Sequence, residues 1–218
     1  MEKIEAIVDT CFLQKLSSEG KNVDNIKKVI DELSFKPVCH PYIATHELKL
    51  HSYLQNLLDV GYVREISYSE FIKDEMDKEL YEAYYEQLYE DFRLFLEIKG
   101  GPKQIERLNL LPGTSIYDLH KQGSSMGDVH MLLMAMFMRL PIILTEDSDV
   151  ETLSILAKKR IDFDNYTLKI YDAFDLLKEI ATKEETSIGK KELEKILNDI
   201  GKRKSRSELR KIWNESHF

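Results

Sequence analysis

Apolar residues along the 218-residue chain alternate between strand-like and helix-like spacing. Ile4–Val8 is a short apolar run with β-branched residues, closed by Asp9 and followed by a helix-compatible stretch. It predicts a buried parallel strand with Asp9 at its C-terminal edge. Ile26, Val29, Ile30 and Leu33 recur at helical spacing and predict a helix over about 23–33, and 36–39 is a short second strand candidate. Pro41 suits the first turn of the next helix, where its missing N–H costs little. Ile43, Leu50, Leu54, Leu57 and Leu58 supply that helix's apolar face, with Glu47 near its start and facing inward.

From 70 to 97 the chain is dense in Glu, Asp and Tyr. Leu80, Tyr84, Leu88, Phe92 and Phe95 recur three or four residues apart, which predicts a long amphipathic helix or a helical pair. Gly100, Gly101, Pro102, Pro112 and Gly113 bracket a connector. Ser124 or Ser125 then caps a helix running to about 139, with Asp128 in its first turn. Residues 141–145 form the clearest later strand, short and β-branched, followed by the acidic turn Glu146, Asp147, Ser148, Asp149; 168–171 is a further candidate. The last segment predicts helices over about 190–200 and 208–213.

Strands alternating with helices imply right-handed crossovers and a mainly parallel sheet, with ligands at the carboxyl ends of the strands. The expected fold class is therefore α/β: a three-layer sandwich around a mainly parallel sheet. One main domain over 1–182 carries a helical insertion at about 62–120, and 183–218 forms a basic helical extension.

Composition narrows the picture. A hydrophobic content of 43% suits one α/β core with an extension. The net charge of -8 argues against a protein that coats nucleic acid non-specifically, so any such role needs local basic patches. The tail offers one, with Lys202, Arg203, Lys204, Arg206, Arg210 and Lys211 opposed locally only by Glu208. It reads equally as a track for an RNA backbone and as a solvated helix face. Cys11 and Cys39 have no zinc-like or disulfide-like spacing and read as small buried hydrophobes of a reducing interior. The longest apolar run, around 131–138, is too short for a membrane span, and no signal segment opens the chain, so a soluble cytoplasmic protein is expected.

The chemistry lies in the acids. Asp9 ends the first strand, Glu47 faces inward from an early helix turn, Asp128 opens a later helix and Asp147 ends a later strand. In a doubly wound sheet these positions converge. Packed carboxylates raise one another's pKa unless a cation neutralises them, and a hard ion such as Mg²⁺ or Mn²⁺ resolves that conflict. Such an ion activates water toward a phosphodiester without a nucleophilic side chain. Asp149 reads either as a water-mediated ligand or as the cap of a helix beginning near Val150.

The segments IVDTCFL, PVCHPYIATHEL, SSMGDVHMLLMAMFMRLPIILTED and LKIYDAFDLL, in this order, resemble PIN domains over about 3–181, with a poor match between Gly61 and Leu119. The resemblance implies that Asp9, Glu47, Asp128 and Asp147 are the catalytic acids and that Asp149 is an auxiliary acid. It also implies that Thr145 is the hydroxyl residue before the fourth acid, a substrate-side position. Apart from the resemblance, the charge of Lys202, Arg203, Lys204 and Arg206 makes these tail residues candidates for substrate-backbone contacts. The implied activity is a Mg²⁺- or Mn²⁺-dependent endonuclease on single-stranded RNA, or a related 5′ nuclease, leaving a 5′ phosphate. Many such proteins are toxins paired with an antitoxin. The long acidic, Tyr-rich insertion and the basic tail depart from the small toxin pattern.

Two rival classes stand beside this. A catalytically silent PIN-like scaffold would hold a protein partner, or a second copy of itself, through the insertion; on that reading Tyr81, Tyr84, Tyr85 and Tyr89 form an association surface rather than a base-stacking one. A receiver-like phosphoacceptor domain would need a paired acid directly after the first strand and a late strand-end Lys, neither of which is clear. His40, His46 and His130 read as half-buried structural residues, and Met131, Met134, Met136 and Met138 as helix core.

Overall fold

The computed structural model describes residues 3–110, 112, 114–120, 123–161 and 165–217; Gly113 of the expected connector lies outside them. In chain order the elements are β1 (Ile4–Val8), α1 (Thr10–Leu16), α2 (Asp24–Glu32), β2 (Phe35–Cys39), α3 (Pro41–His46), a 3₁₀ turn (Leu48–Leu50), α4 (Ser52–Asp59), β3 (Arg64–Glu65), α5 (Tyr68–Phe71) and α6 (Glu75–Lys99). There follow α7 (Met126–Met138), β4 (Ile142–Leu144), α8 (Asp149–Arg160), β5 (Lys169–Tyr171), α9 (Ala173–Thr182), α10 (Lys190–Asp199), a second 3₁₀ turn (Arg203–Ser205) and α11 (Arg206–His217).

The sheet has the order β3-β2-β1-β4-β5, and every pairing is parallel. Helices cover both faces, giving a three-layer α/β sandwich. β1 is central because it can be buried on both sides: Ala6, Ile7 and Val8 are fully buried, as are Ile143 and Leu144 beside them. The order reverses at β1, whose neighbours β2 and β4 lead outward in opposite directions. That leaves a crevice beyond the carboxyl ends of β1 and β4, where such sheets bind ligands.

Two expected elements differ. The helix after Pro41 is broken: α3 ends at His46, Glu47 leaves the helical region (φ -130°), and the chain resumes through the 3₁₀ turn into α4. Leu50, expected on the apolar face, is 71% exposed. The insertion helix is long, as expected, but its buried face is Tyr81, Tyr85, Leu88, Tyr89, Phe92 and Leu96, while Leu80 is exposed. Tyr81, Tyr85 and Tyr89 are thus core residues, which corrects their reading as an association surface.

The tyrosines are buried because each hydroxyl finds a partner. Tyr81 bridges two buried histidines: its hydroxyl lies 3.1 Å from His40 Nε2 and 2.8 Å from His130 Nδ1. His40 Nδ1 accepts from the Tyr42 amide, so its Nε2 donates to Tyr81; His130 Nε2 donates to the Ile116 carbonyl, so its Nδ1 accepts from Tyr81. Both rings are neutral in this chain of bonds, and burial drives both pKa values down, that of His130 to about 3. Their structural reading is sound. Met131, Met134 and Met136 are buried helix core, and no helix among the described residues is long and apolar enough to cross a membrane.

The C-terminal segment packs on the same core through Leu193, Ile196, Leu197, Ile200 and Leu209. Glu194 on α10 pairs with Arg206 and Arg210 on α11, which holds the two helices together and keeps the Glu194 carboxyl down at about 2.

Candidate active site

Each acid reaches the crevice from a different element. Asp9 terminates β1, its amide donating to the Leu144 carbonyl at 3.0 Å in the last step of the β1–β4 ladder. It also caps α1: Oδ1 accepts from the Thr10 amide at 2.6 Å. Oδ2 accepts from the Thr145 hydroxyl at 2.8 Å and from the Cys11 thiol at 2.7 Å. Asp147 lies just past β4, where its amide donates to Thr145 Oγ1 at 3.0 Å and its Oδ1 accepts from the Asp149 amide at 2.8 Å. Thr145 therefore ties together the loops that carry Asp9 and Asp147.

Glu47 enters from the break after α3 and Asp128 from the first turn of α7. Gly127 makes the approach of Glu47 possible: a Cβ there would stand 2.5 Å from Glu47 Oε1. The expected cap of α7 differs, since Ser125 has φ 56° and its side chain makes no capping bond.

Asp9, Glu47, Asp128 and Asp147 line one cleft of about 480 Å³. Their charges bear on one another. Burial raises the pKa of Asp9, and the Asp147 charge adds to this against the bonds from Cys11, Thr145 and Thr10. Burial, then the charges of Asp9 and Asp147, holds Asp128 well above its usual range. Glu47 is pushed up to about 7 by burial and by Asp9.

Sequence reasoning missed three features of this cleft. Lys103, on the connector after α6, pairs with Asp149 and stands 3.7 Å from Asp147 Oδ2. Burial works against its charge, but the bond from Asp149 and the charges of Asp147, Asp149 and Asp128 outweigh it and raise its pKa. His46 and His120 stack with centroids 5.2 Å apart on the cleft wall, beside Tyr42, whose hydroxyl donates to the Leu119 carbonyl at 3.1 Å. Cys11 lines the cleft as a donor to Asp9, whereas Cys39 is the buried apolar thiol expected of both. Charges of opposite sign at Asp147 and Lys103 were the available signal, but a connector without periodicity gave no register to place the lysine.

Other expected positions fall elsewhere. Thr145 is 3% exposed and committed to the acids, so it positions them instead of meeting substrate directly. Lys202, Arg203, Lys204 and Arg206 do not line the cleft: Arg206 is paired with Glu194, Lys202 stands 3.5 Å from Asp172, and Arg203 and Lys204 are exposed. Asp149 begins α8, but its carboxylate goes to Lys103 rather than to a cap.

The donors around the cleft suit a hard divalent cation. They include the carboxylate oxygens and the Thr10 hydroxyl, which is buried without a hydrogen-bond partner among the described residues, while the Cys11 thiol and the rings of His46, His51 and His120 line the same cleft. Burial first, and the neighbouring acids after it, raise the carboxyl pKa values, and the Lys103 ammonium is drawn among the acids. Among the described residues, however, no three His, Cys, Asp or Glu side chains are gathered as a cage around one point. Comparison with protein-family models, with characterised proteins and with solved structures gave no match.

Proposed function

We propose that the chain is a PIN-like, Mg²⁺- or Mn²⁺-dependent endoribonuclease that hydrolyses phosphodiester bonds in single-stranded RNA. The observation that carries this reading is the convergence of Asp9, Glu47, Asp128 and Asp147, from four separate segments, on one cleft at the carboxyl edge of the sheet. Asp9, Asp128 and Asp147 would hold the ion, with Glu47 helping to place it. When bound, the ion supplies Lewis acidity and an activated water for attack on phosphorus.

The protein's own residues do the positioning. Thr145 and Cys11 fix the orientation of Asp9 Oδ2, and Gly127 admits the Glu47 carboxyl, which would exchange a proton with the attacking water. The stacked rings of His46 and His120, backed by the buried Tyr42, favour an unpaired strand, because single-stranded bases stack on such rings. An antitoxin or other protein partner belongs to the same proposal only by family analogy.

The test is incubation of the purified chain with single-stranded RNA and Mn²⁺. Cleavage that leaves 5′ phosphates and is lost in Asp9→Asn is the expected result; cleavage indifferent to Asp9→Asn, or none at all, overturns the reading. The second reading, a silent scaffold, is favoured by one observation: Lys103 already satisfies Asp147 and Asp149 internally. On that reading calorimetry detects no Mn²⁺ binding.

A further inference from the structure

The acids around the cleft are not equivalent in their countercharge. Lys103 forms its ion pairs on one side, with Asp149 and, at 3.7 Å, with Asp147, while its charge also reaches Asp128. Among the described residues no cation pairs with Asp9 or Glu47; the partners of Asp9 are the Thr10 amide, the Thr145 hydroxyl and the Cys11 thiol, and the Thr10 hydroxyl lies near Glu47.

Lys103 is also held in place. Two residues on, Ile105 is buried in the core, and the Tyr89 hydroxyl of α6 donates to the Glu106 carbonyl at 3.1 Å. A short leash therefore fixes the connector to α6 on either side of the cleft's lysine, and the side chain of Lys103 is only 35% exposed. An ammonium carried by an anchored segment competes with a free ion at high effective concentration.

We infer that Lys103 is a resident counter-cation that occupies the Asp149 side of the acidic cleft, beside Asp147, and leaves the space among Asp9, Glu47, Asp128 and Asp147 for a single divalent ion. This rests on reading the acids as a metal centre, and it fixes that centre as a one-ion site. The alternative, a pair of ions bridged by Asp147, requires Lys103 to leave Asp149, because two cations repel at the few ångströms that separate such positions.

The experiment is a calorimetric Mn²⁺ titration of the full chain as wild type, Lys103→Gln, Lys103→Arg and the double variant Lys103→Gln/Asp149→Asn, with electron paramagnetic resonance to detect coupled Mn²⁺ pairs. Expected is one ion in the wild type and in Lys103→Arg, and two in Lys103→Gln with the spectral broadening of a coupled pair. The double variant returns to one. A wild type that binds two ions, or a Lys103→Gln that binds only one, overturns the inference while leaving the metal-centre reading in place. If neither wild type nor Lys103→Gln binds Mn²⁺ in the cleft, the metal-centre reading itself fails. The wild-type stoichiometry is decisive even if a variant folds poorly.

Discussion

Among single residues, Glu47 and Gly127 carry the sharpest consequences. Alanine at 127 favours the α7 helix by up to about 1 kcal/mol over glycine, yet its Cβ displaces the Glu47 carboxyl, whose end is flexible enough to swing away. Gly127→Ala is therefore expected to melt at or above the wild-type temperature while losing at least about tenfold in cleavage rate, as removal of a positioned acid–base group does; a variant with wild-type kinetics would show that Glu47 has no role. Glu47 also shapes the pH dependence. Its folded-state pKa of about 7 lies above the ordinary value of 4.5, so its contribution to stability is complete below about 4.5 and is lost as pH rises through 7. The loss amounts to no more than about 3 kcal/mol. The melting temperature of the metal-free wild type relative to Glu47→Gln should accordingly be lower at pH 8 than at pH 5, a comparison in which the histidines are common to both proteins. The buried histidines act in the opposite sense: neutral when folded, they withdraw stability as pH falls below about 6.5. An Mn²⁺-induced rise in melting temperature that grows with pH would mark the carboxylates, since the histidines bind no part of it.

Among elements, the insertion helix α6 is joined to the core by the His40–Tyr81–His130 bonds. Tyr81→Phe strips one donor and one acceptor from that chain and leaves buried His40 Nε2–H and His130 Nδ1 unmatched. A loss of about 2–4 kcal/mol in urea unfolding is expected; a change under about 0.5 kcal/mol would mean water replaces the hydroxyl. This network also shows what periodicity can and cannot convey. The length of α6 was legible because Asp74 caps it and Gly100 closes it in the left-handed conformation. Its buried face was not, because alternate registers of Leu and Tyr give similar apolar stripes, and only the polar partners of Tyr81, Tyr85 and Tyr89 select one. The break at Glu47 was hidden for a related reason: Leu48, Leu50, Leu54 and Leu57 continue the helical spacing, and nothing local signals the 3₁₀ turn. Four strands were read within a residue or two, but β3, two residues long and without an apolar run, was missed inside the segment expected to be a helical insertion.

For the molecule as a whole, the α/β class, the parallel sheet and the strand-end placement of Asp9 and Asp147 followed from alternating periods and the position of acids beside them. That Glu47 and Asp128 face the same cleft depends on contacts distant in sequence, through Gly127 in one case and the packing of α7 in the other. Lys103 depends on a connector that has no period at all. The basic tail, legible as charge, is used largely in holding α11 to α10 and approaching α9. The account therefore stands on a single cation-binding centre, and diffraction from Mn²⁺-soaked crystals at the manganese absorption edge tests it most directly. The expected result is an anomalous peak in the cleft bounded by Asp9, Glu47, Asp128 and Asp147, with Lys103 retained on Asp149; a cleft without manganese at saturating ion, or manganese bound only elsewhere, would contradict it.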